Sequence, residues 1–377
     1  MRVLHLFANR KWTGPAEPAL NLCVALRAQG VDLDFACGPG PDLAINKIVA
    51  TARERGIEPI LDLILEKNDH PLANFIDRWR LPRLLRKGRY DIVHCHLDND
   101  HRIAIGPCRK AGIPIVRTSY QGDGLRKPKR HGPFLAATRF LIEPSQLALE
   151  HDAAQYGFPR ERMRVVPGAV DTERFDPTRE VPDGRRRLGI PPDAFVVGIV
   201  ARMQTHRHYE DLWRAAQQLV AAHPEIHILV VGRGTNQDQV GAEPVRDYGL
   251  GLHVHFSGYV GGDDYVGMLK AFDVNVFLVP GSDGTCRAVR EAMAMARPAV
   301  VARRGMLPEI VEDGVSGVVF EGSADSLVDA LGALVADRLR TRAMGTAAGE
   351  KARRDYALEV QAHAVRVIYR EILAPGE

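Results

Sequence analysis

The chain has 377 residues, 45% hydrophobic and 26% charged, with a net charge of +3. That is long for one core and natural for two α/β domains, and the near-neutral balance excludes bulk affinity for nucleic acid. Five cysteines (Cys23, Cys37, Cys95, Cys108 and Cys286) are an odd number at scattered spacings. They fit neither a disulfide framework nor a zinc pattern and point to a reducing compartment.

The opening MRVLHLFANRKW reads as a first strand, too short for a signal sequence. No run of about 18 apolar residues is present to span a membrane. Strand-like runs lie at 2–7, 31–36, 90–94, 113–118 and 140–144, with amphipathic stretches such as 17–29 and 145–156 between them. This rhythm predicts a parallel sheet covered on both faces. A stretch rich in Pro, Gly and Asp, 167–184, reads as a linker. The rhythm then restarts at 195–202, 227–232, 253–258, 274–279 and 298–302. Two open sheets on one linker predict a ligand cleft between domains. The expected division is 1–165, 166–354, and an amphipathic helix over 355–377 packing back on the first domain. Packing of that tail on the second domain alone is the other option.

Candidate site residues fall at strand ends. Gly14, in TGPAE, either lets the backbone approach a ligand or marks a plain helix entry. His94 and His96, in DIVHCHLDND, share one side of a strand. A metal pair, a cleft-lining acid/base or hydrogen-bond role, and a structural role are all open, although no third metal ligand is evident. The segment 75–90 mixes Arg78, Arg80, Arg83, Arg86, Lys87 and Arg89 with Phe75, Ile76, Trp79, Leu81, Leu84 and Leu85, and Pro82 interrupts it. It reads as a solvated helix face or as a basic segment for an anionic membrane surface. RKPKRH (126–131) reads as a flexible basic loop facing solvent or an anionic acceptor.

Arg202 closes FVVGIVAR and Arg207 stands where the next helix begins. Two fixed guanidiniums suit a diphosphate. The stretch PGSDGTCRAVREAMAMARPAVV (280–301) follows an apolar strand with a glycine turn and a helix. The amides of Gly284, Thr285 and Cys286 would point at an anion. Glu291 suits a vicinal diol such as that of ribose, and Asp283 suits a sugar hydroxyl or simply a turn. Arg287 stands in the first helical turn, where the macrodipole disfavours a cation, and that suggests a bound anion nearby. An ordinary strand–helix junction with surface charges is the plainer alternative.

With these motifs the chain resembles the retaining, nucleotide-sugar-dependent glycosyltransferases of the GT-B fold, family 4 ("group 1"). The resemblance rests on PGAVDTERFDP (167–177), Arg202, VVGRG (230–234), FSGYV (256–260), DGTCRAVREAMA (283–294) and RGMLPEIVEDGVSGVVF (304–320) in this order and spacing. It implies two Rossmann-like domains with parallel sheets facing a central cleft. It also implies that Glu291 binds the nucleotide ribose, Asp283 contacts the donor sugar, and Arg202 and Arg207 neutralise the diphosphate. Gly14 falls in the family's glycine loop. Three departures stand out: Asp283 replaces a glutamate, Arg207 replaces a lysine and is followed by His208 where glycine is usual, and Tyr120 stands where a histidine is common.

The resemblance implies transfer of a hexose-type sugar to an acceptor hydroxyl with retention of anomeric configuration. Cell-envelope, polysaccharide, lipopolysaccharide or glycolipid synthesis is the expected setting. The expected catalytic set is Arg202, Arg207, Asp283, His96 and Tyr120. The expected donor-binding set is Gly14, Arg202, Arg207, Gly284, Thr285, Cys286, Arg287 and Glu291. No cofactor is expected and no metal is strictly required. Expected partners are a nucleotide-sugar donor, a glycan or lipid-linked acceptor and an anionic membrane surface, but no nucleic acid. The expected location is cytoplasmic, peripheral at the inner face of the membrane. A non-catalytic sugar-nucleotide-binding protein of the same fold is the rival. An epimerase or dehydrogenase is a further one, disfavoured because VVGRG is too short for a dinucleotide fingerprint.

Overall fold

Along the first strand Val3, His5 and Phe7 face one way and Leu4 and Leu6 the other, and all five are fully buried. A strand buried on both faces belongs inside a parallel sheet with helices on each side. The computed structural model shows that layering in each of two units. It describes residues 1–125, 128–280 and 286–374, and only the backbone of 128–131. One unit is Met1–Gly168 together with the chain from Leu358 onward; the other lies between Ala169 and Ala357.

The first unit runs β1 (Arg2–Phe7), α1 (Ala16–Ala28), β2 (Asp32–Cys37), α2 (Lys47–Glu54), α3 (Pro71–Gly88), β3 (Ile92–Cys95), α4 (Asp98–Ala111), β4 (Ile115–Thr118), α5 (Pro128–Leu135), β5 (Phe140–Glu143), α6 (Gln146–Tyr156) and β6 (Met163–Val165). Its parallel strands lie in the order β2-β1-β3-β4-β5-β6. The second runs α7 (Gly184–Leu188), β7 (Phe195–Val200), α8 (Tyr209–Ala222), β8 (Ile226–Val231), α9 (Glu243–Asp247), β9 (Val254–Gly258), α10 (Gly262–Ala271), β10 (Val274–Phe277), α11 (Arg287–Ala294), β11 (Ala299–Ala302), α12 (Leu307–Ile310), β12 (Gly317–Phe320), α13 (Ala324–Ala336) and α14 (Arg338–Tyr356). Its order is β12-β11-β10-β7-β8-β9. The direction of strand addition reverses between β1 and β3 in the first unit and between β7 and β10 in the second. Open α/β sheets bind ligands at such switch points, beyond the carboxyl ends of the strands.

The two faces of the first sheet have separate cores. Val3, Phe7, Phe35 and Ile92 pack with α1. Leu4, Leu6, Val93 and Cys95 pack with Leu81 and Leu85 of α3 and Ile103 of α4. A last helix, α15 (Leu358–Leu373), joins the first of these cores through Ala362, Val365, Ile368 and Tyr369. Arg366 donates to the Gln29 carbonyl at 3.1 Å, and the Gln29 side chain donates to the Glu359 carbonyl at 2.7 Å. Each large apolar side chain so buried stabilises by roughly 1.5–3 kcal/mol.

Several expectations need correction. The closing helix does not begin at 355. Asp355 and Tyr356 end α14, and Ala357 is extended at φ −64, ψ 151. There Val170 N–H donates to the Tyr356 carbonyl at 2.8 Å. The apolar pattern runs unbroken across this point because Tyr356 serves the second unit's core and Leu358 the first unit's. Pro82 does not interrupt α3; a mid-helix proline removes one ladder hydrogen bond, and Leu81 and Leu85, buried on either side, hold the helix to the sheet. The stretch 167–184 is not slack linker throughout, since Val170 and Phe175 are buried in the second unit's core. Two short edge strands, β6 and β12, lie outside the strand-like runs of the sequence. Among the described residues all five cysteines are buried, and no helix is long and apolar enough to cross a membrane.

Candidate functional site

In the second unit the carboxyl ends of β7 and β8 are pressed together by two glycines. A Cβ on Gly232 would stand 2.4 Å from the Ala201 carbonyl oxygen, and one on Gly234 would stand 2.0 Å from that of Met203. That is the physical content of VVGRG: the two backbones touch on either side of Arg202. The Arg202 side chain is exposed and, among the described residues, makes no ion pair or hydrogen bond.

Arg207 is different. It ends a single turn, Thr205–Arg207, and is only 7% exposed. His208 follows in the left-handed conformation, φ 58 and ψ 32, and caps α8. Glycine takes that shape freely, whereas an L side chain costs about 1 kcal/mol; this is the reason glycine suits the position. The Arg207 guanidinium donates to the Pro280 carbonyl at 3.3 Å across the β7/β10 switch point. Its Nε is buried with no partner among the described residues. Beside it Ile199, Ala201, Phe277, Leu278 and Val279 line a cavity of about 10 Å³. A buried cationic N–H without a partner is costly, and an anion at this strand end would supply one.

Next along the chain, Cys286 caps α11 in a left-handed conformation, φ 49, with no side-chain cap bond. Glu291, one turn on, is 5% exposed. Its Oε1 is 3.0 Å from Arg287 Nε, and its Oε2 accepts from the Tyr265 hydroxyl of α10 at 2.5 Å. Burial, and then the Glu291 charge, push the Tyr265 phenol well above its usual range, so it stays a donor. Glu291 thus supplies one anion facing Arg287. Asp283, Gly284 and Thr285 lie outside the described residues.

In the first unit Gly14 is exposed just ahead of α1, whose start carries no side-chain cap bond. His94 and His96 are joined by a residue the sequence did not single out. His5 pairs in register with His94 across β1 and β3, and all three imidazoles are fully buried. Thr118 Oγ1 is 2.7 Å from His94 Nε2, and His94 Nδ1 is 2.5 Å from the Tyr369 hydroxyl. That hydroxyl is 3.3 Å from His5 Nε2. His5 Nδ1 is 3.0 Å from His96 Nε2, and His96 Nδ1 is 2.7 Å from the Tyr120 hydroxyl. The result is one hydrogen-bonded chain: Thr118, His94, Tyr369, His5, His96, Tyr120.

Burial holds His5 down to about 3 and His94 and His96 well below their usual range, with neighbouring imidazoles and Arg117 adding to the effect. Each neutral imidazole gives one hydrogen bond and takes one. The chain is therefore consistent in either of two directions, all donors pointing toward Tyr120 or all away. The three histidines offer nitrogens within 4.8 Å of one another, but all six ring nitrogens are already engaged in these bonds. Tyr120, at the strand-end position, is half-buried. Its phenol is raised by burial, so it stays a neutral hydroxyl. The period of two in LHLF was the available signal for His5; nothing in sequence pointed to Tyr369.

Against known proteins, residues 13–174 match Glycosyltransferase Family 4 and residues 181–352 match Glycosyl transferases group 1. The chain belongs to the group 1, family 4 glycosyltransferases. Its fold is α/β of the GT-B type, and it is a glycosyltransferase. It is 27% identical to the D-inositol 3-phosphate glycosyltransferase of Acidothermus cellulolyticus, over 94% of this chain and 86% of that protein. It is 28% identical to D-inositol 3-phosphate glycosyltransferase 1 of Catenulispora acidiphila, over 71% and 72%. Among solved structures, Anabaena HepE in complex with UDP superposes with a TM-score of 0.79 at 17% identity, covering 98% of this chain and all of that one.

Proposed function

We propose that the protein transfers a hexose-type sugar from a nucleoside diphosphate-sugar to an acceptor hydroxyl, with retention at the anomeric carbon. The observation that carries this reading is Arg207, a buried guanidinium whose Nε has no partner among the described residues, at a sheet's switch point. A diphosphate there supplies the missing acceptor, and its charge grows as the glycosidic bond breaks, when a fixed cation stabilises it most. Arg202, exposed and nearby in the chain, adds a second cation. With two guanidiniums on the leaving group, no metal is needed for charge neutralisation. Glu291 clasps the ribose diol through Oε1, exchanging the contact now made with Arg287, while the Tyr265 hydroxyl keeps hold of Oε2 and orients the carboxylate. That HepE is solved with UDP and with UDP-glucose supports a uridine donor as the first to try.

In the first unit Tyr120 is the proposed contact for the acceptor hydroxyl, oriented by His96. The names of the inositol-phosphate-using relatives support a polyol phosphate acceptor; a glycolipid or envelope polysaccharide is the alternative class. Thermal shifts with UDP, GDP and ADP test the donor. Transfer is then followed by NMR of the anomeric proton, with D-inositol 3-phosphate or a lipid-linked glycan as acceptor and with EDTA present. Sugar transfer with retained configuration supports the reading. Nucleotide binding without sugar release from any donor would instead make this a non-catalytic binder. No shift with any nucleotide removes the proposal.

A further inference from the structure

Helix α3 turns its apolar and cationic side chains outward together. It buries Ala73, Asp77, Leu81 and Leu85 on the sheet side. On the opposite side Leu72, Phe75 and Trp79 are 65%, 69% and 60% exposed. Their spacing of three and four makes them one stripe. Arg83 and Arg86 continue the stripe, with Arg78, Arg80 and Lys87 at its flanks, all exposed. The Arg83 guanidinium lies 3.6 Å from the Trp79 ring centroid.

The charges on this face are unmatched. The helix's single acid, Asp77, points inward and accepts from the Ile64 and Leu65 amides at 2.7 and 2.9 Å. Among the described residues none of the five cations makes an ion pair. Arg78, Arg80 and Arg83 reach only backbone carbonyls, of Arg102, Asp62 and Trp79. Elsewhere exposed arginines do find acids, as in Arg53 with Glu58 and Arg164 with Glu371. Three large apolar side chains held in water beside unmatched cations offer one partner two things: apolar contact and attraction to fixed negative charge.

We propose that this face of α3 docks on an anionic lipid bilayer, the helix lying in the plane of the headgroups. Leu72, Phe75 and Trp79 enter the acyl boundary, and the arginines sit over the lipid phosphates. Trp79 with Arg83 on its ring suits that boundary, an aromatic body below and a cation at phosphate height. Phosphate geometry also matches a guanidinium fork better than it matches a solvated lysine. A symmetric pairing of two copies through this face would instead set like charges against like. The proposal stands apart from the transferase reading, because it uses no residue assigned to donor or acceptor.

The test is sedimentation of the full chain with vesicles of phosphatidylcholine plus phosphatidylglycerol, and with vesicles of phosphatidylcholine alone. The expected result is pelleting with the anionic vesicles only, reversed by salt. Phe75→Ala with Trp79→Ala, and separately Arg83→Glu with Arg86→Glu, each lower partitioning by about tenfold or more. Because these side chains are exposed, Tm and circular dichroism stay as in the wild type. No pelleting with anionic vesicles, or equal pelleting of wild type and both variants, overturns the proposal. So does wild-type dimerisation in equilibrium sedimentation that Phe75→Ala with Trp79→Ala abolishes while vesicle binding is absent.

Discussion

Lowering the pH from about 8 to about 5 should destabilise the first unit through His5 by about 2 kcal/mol. The imidazole is fully buried and its ionisation falls to about 3 from an ordinary 6.5, because burial strips the cation of water. Below 6.5 the unfolded chain binds a proton that the folded chain refuses. The stability His5 confers is therefore complete above 6.5 and drains as the pH falls toward 3, by about 1.4 kcal/mol per pH unit. The figure at pH 5 hardly depends on the folded value while that value stays low. His94 and His96 act in the same direction. Asp100 acts in the opposite one. Burial raises it to about 7 from 3.8, so it favours the folded state as the pH falls through that range. A single whole-protein curve mixes these contributions, and a comparison with His5→Gln separates them. Urea unfolding would be followed by fluorescence in a Trp213→Phe background, which leaves Trp12 and Trp79 in the first unit. Wild type should lose about 2 kcal/mol more than His5→Gln between the two pH values. Equal losses, or a larger loss in the variant, would refute a neutral buried imidazole at this position.

Replacing Arg207 by Ala should lower kcat on the order of 10²–10³-fold in a sugar-transfer assay, with Arg207→Lys recovering part of it; normal turnover would exclude contact with the leaving group. Arg202→Ala should slow transfer while leaving Tm within about 1 °C, since an exposed, unpaired side chain contributes little to folding. Tyr265→Phe removes the hydrogen bond that orients Glu291 and should raise the donor KM about tenfold with kcat little changed; an unchanged KM would show that the carboxylate does not bind the donor. Tyr120→Phe should reduce kcat by about 10² at saturating donor, and an unaltered rate would take the acceptor hydroxyl away from Tyr120.

The layout of both sheets could be read from sequence because their strands are buried on both faces and so appear as apolar runs of fixed length. Arg207 and Glu291 were readable for a related reason: each follows a strand by a set number of residues, and that offset fixes its place at the sheet's edge. The histidine chain was only half visible. His94 and His96 share a strand face by parity, but the link from His94 to His5 passes through Tyr369, 364 residues from His5 in the chain. Where α15 docks decides that contact, and an amphipathic pattern names a buried face without naming what covers it. The same limit explains α3. Phe75 and Trp79 lie on one side and Leu81 and Leu85 on the other, so apolar residues occur on both sides in sequence and only packing assigns the outward one. Ala357 left no trace, because the residues flanking it are apolar for two different cores.

The placement of α15 has a consequence for biogenesis. The N-terminal unit borrows one of its core helices from a segment made only after the whole second unit, so it cannot complete its packing on the ribosome when its own 168 residues emerge. Until α15 has been synthesised, the part of the α1 core that Ala362, Val365 and Ile368 cover stays open and the imidazole chain lacks the Tyr369 hydroxyl. Completion of the first unit's core is thus coupled to the synthesis of the second unit.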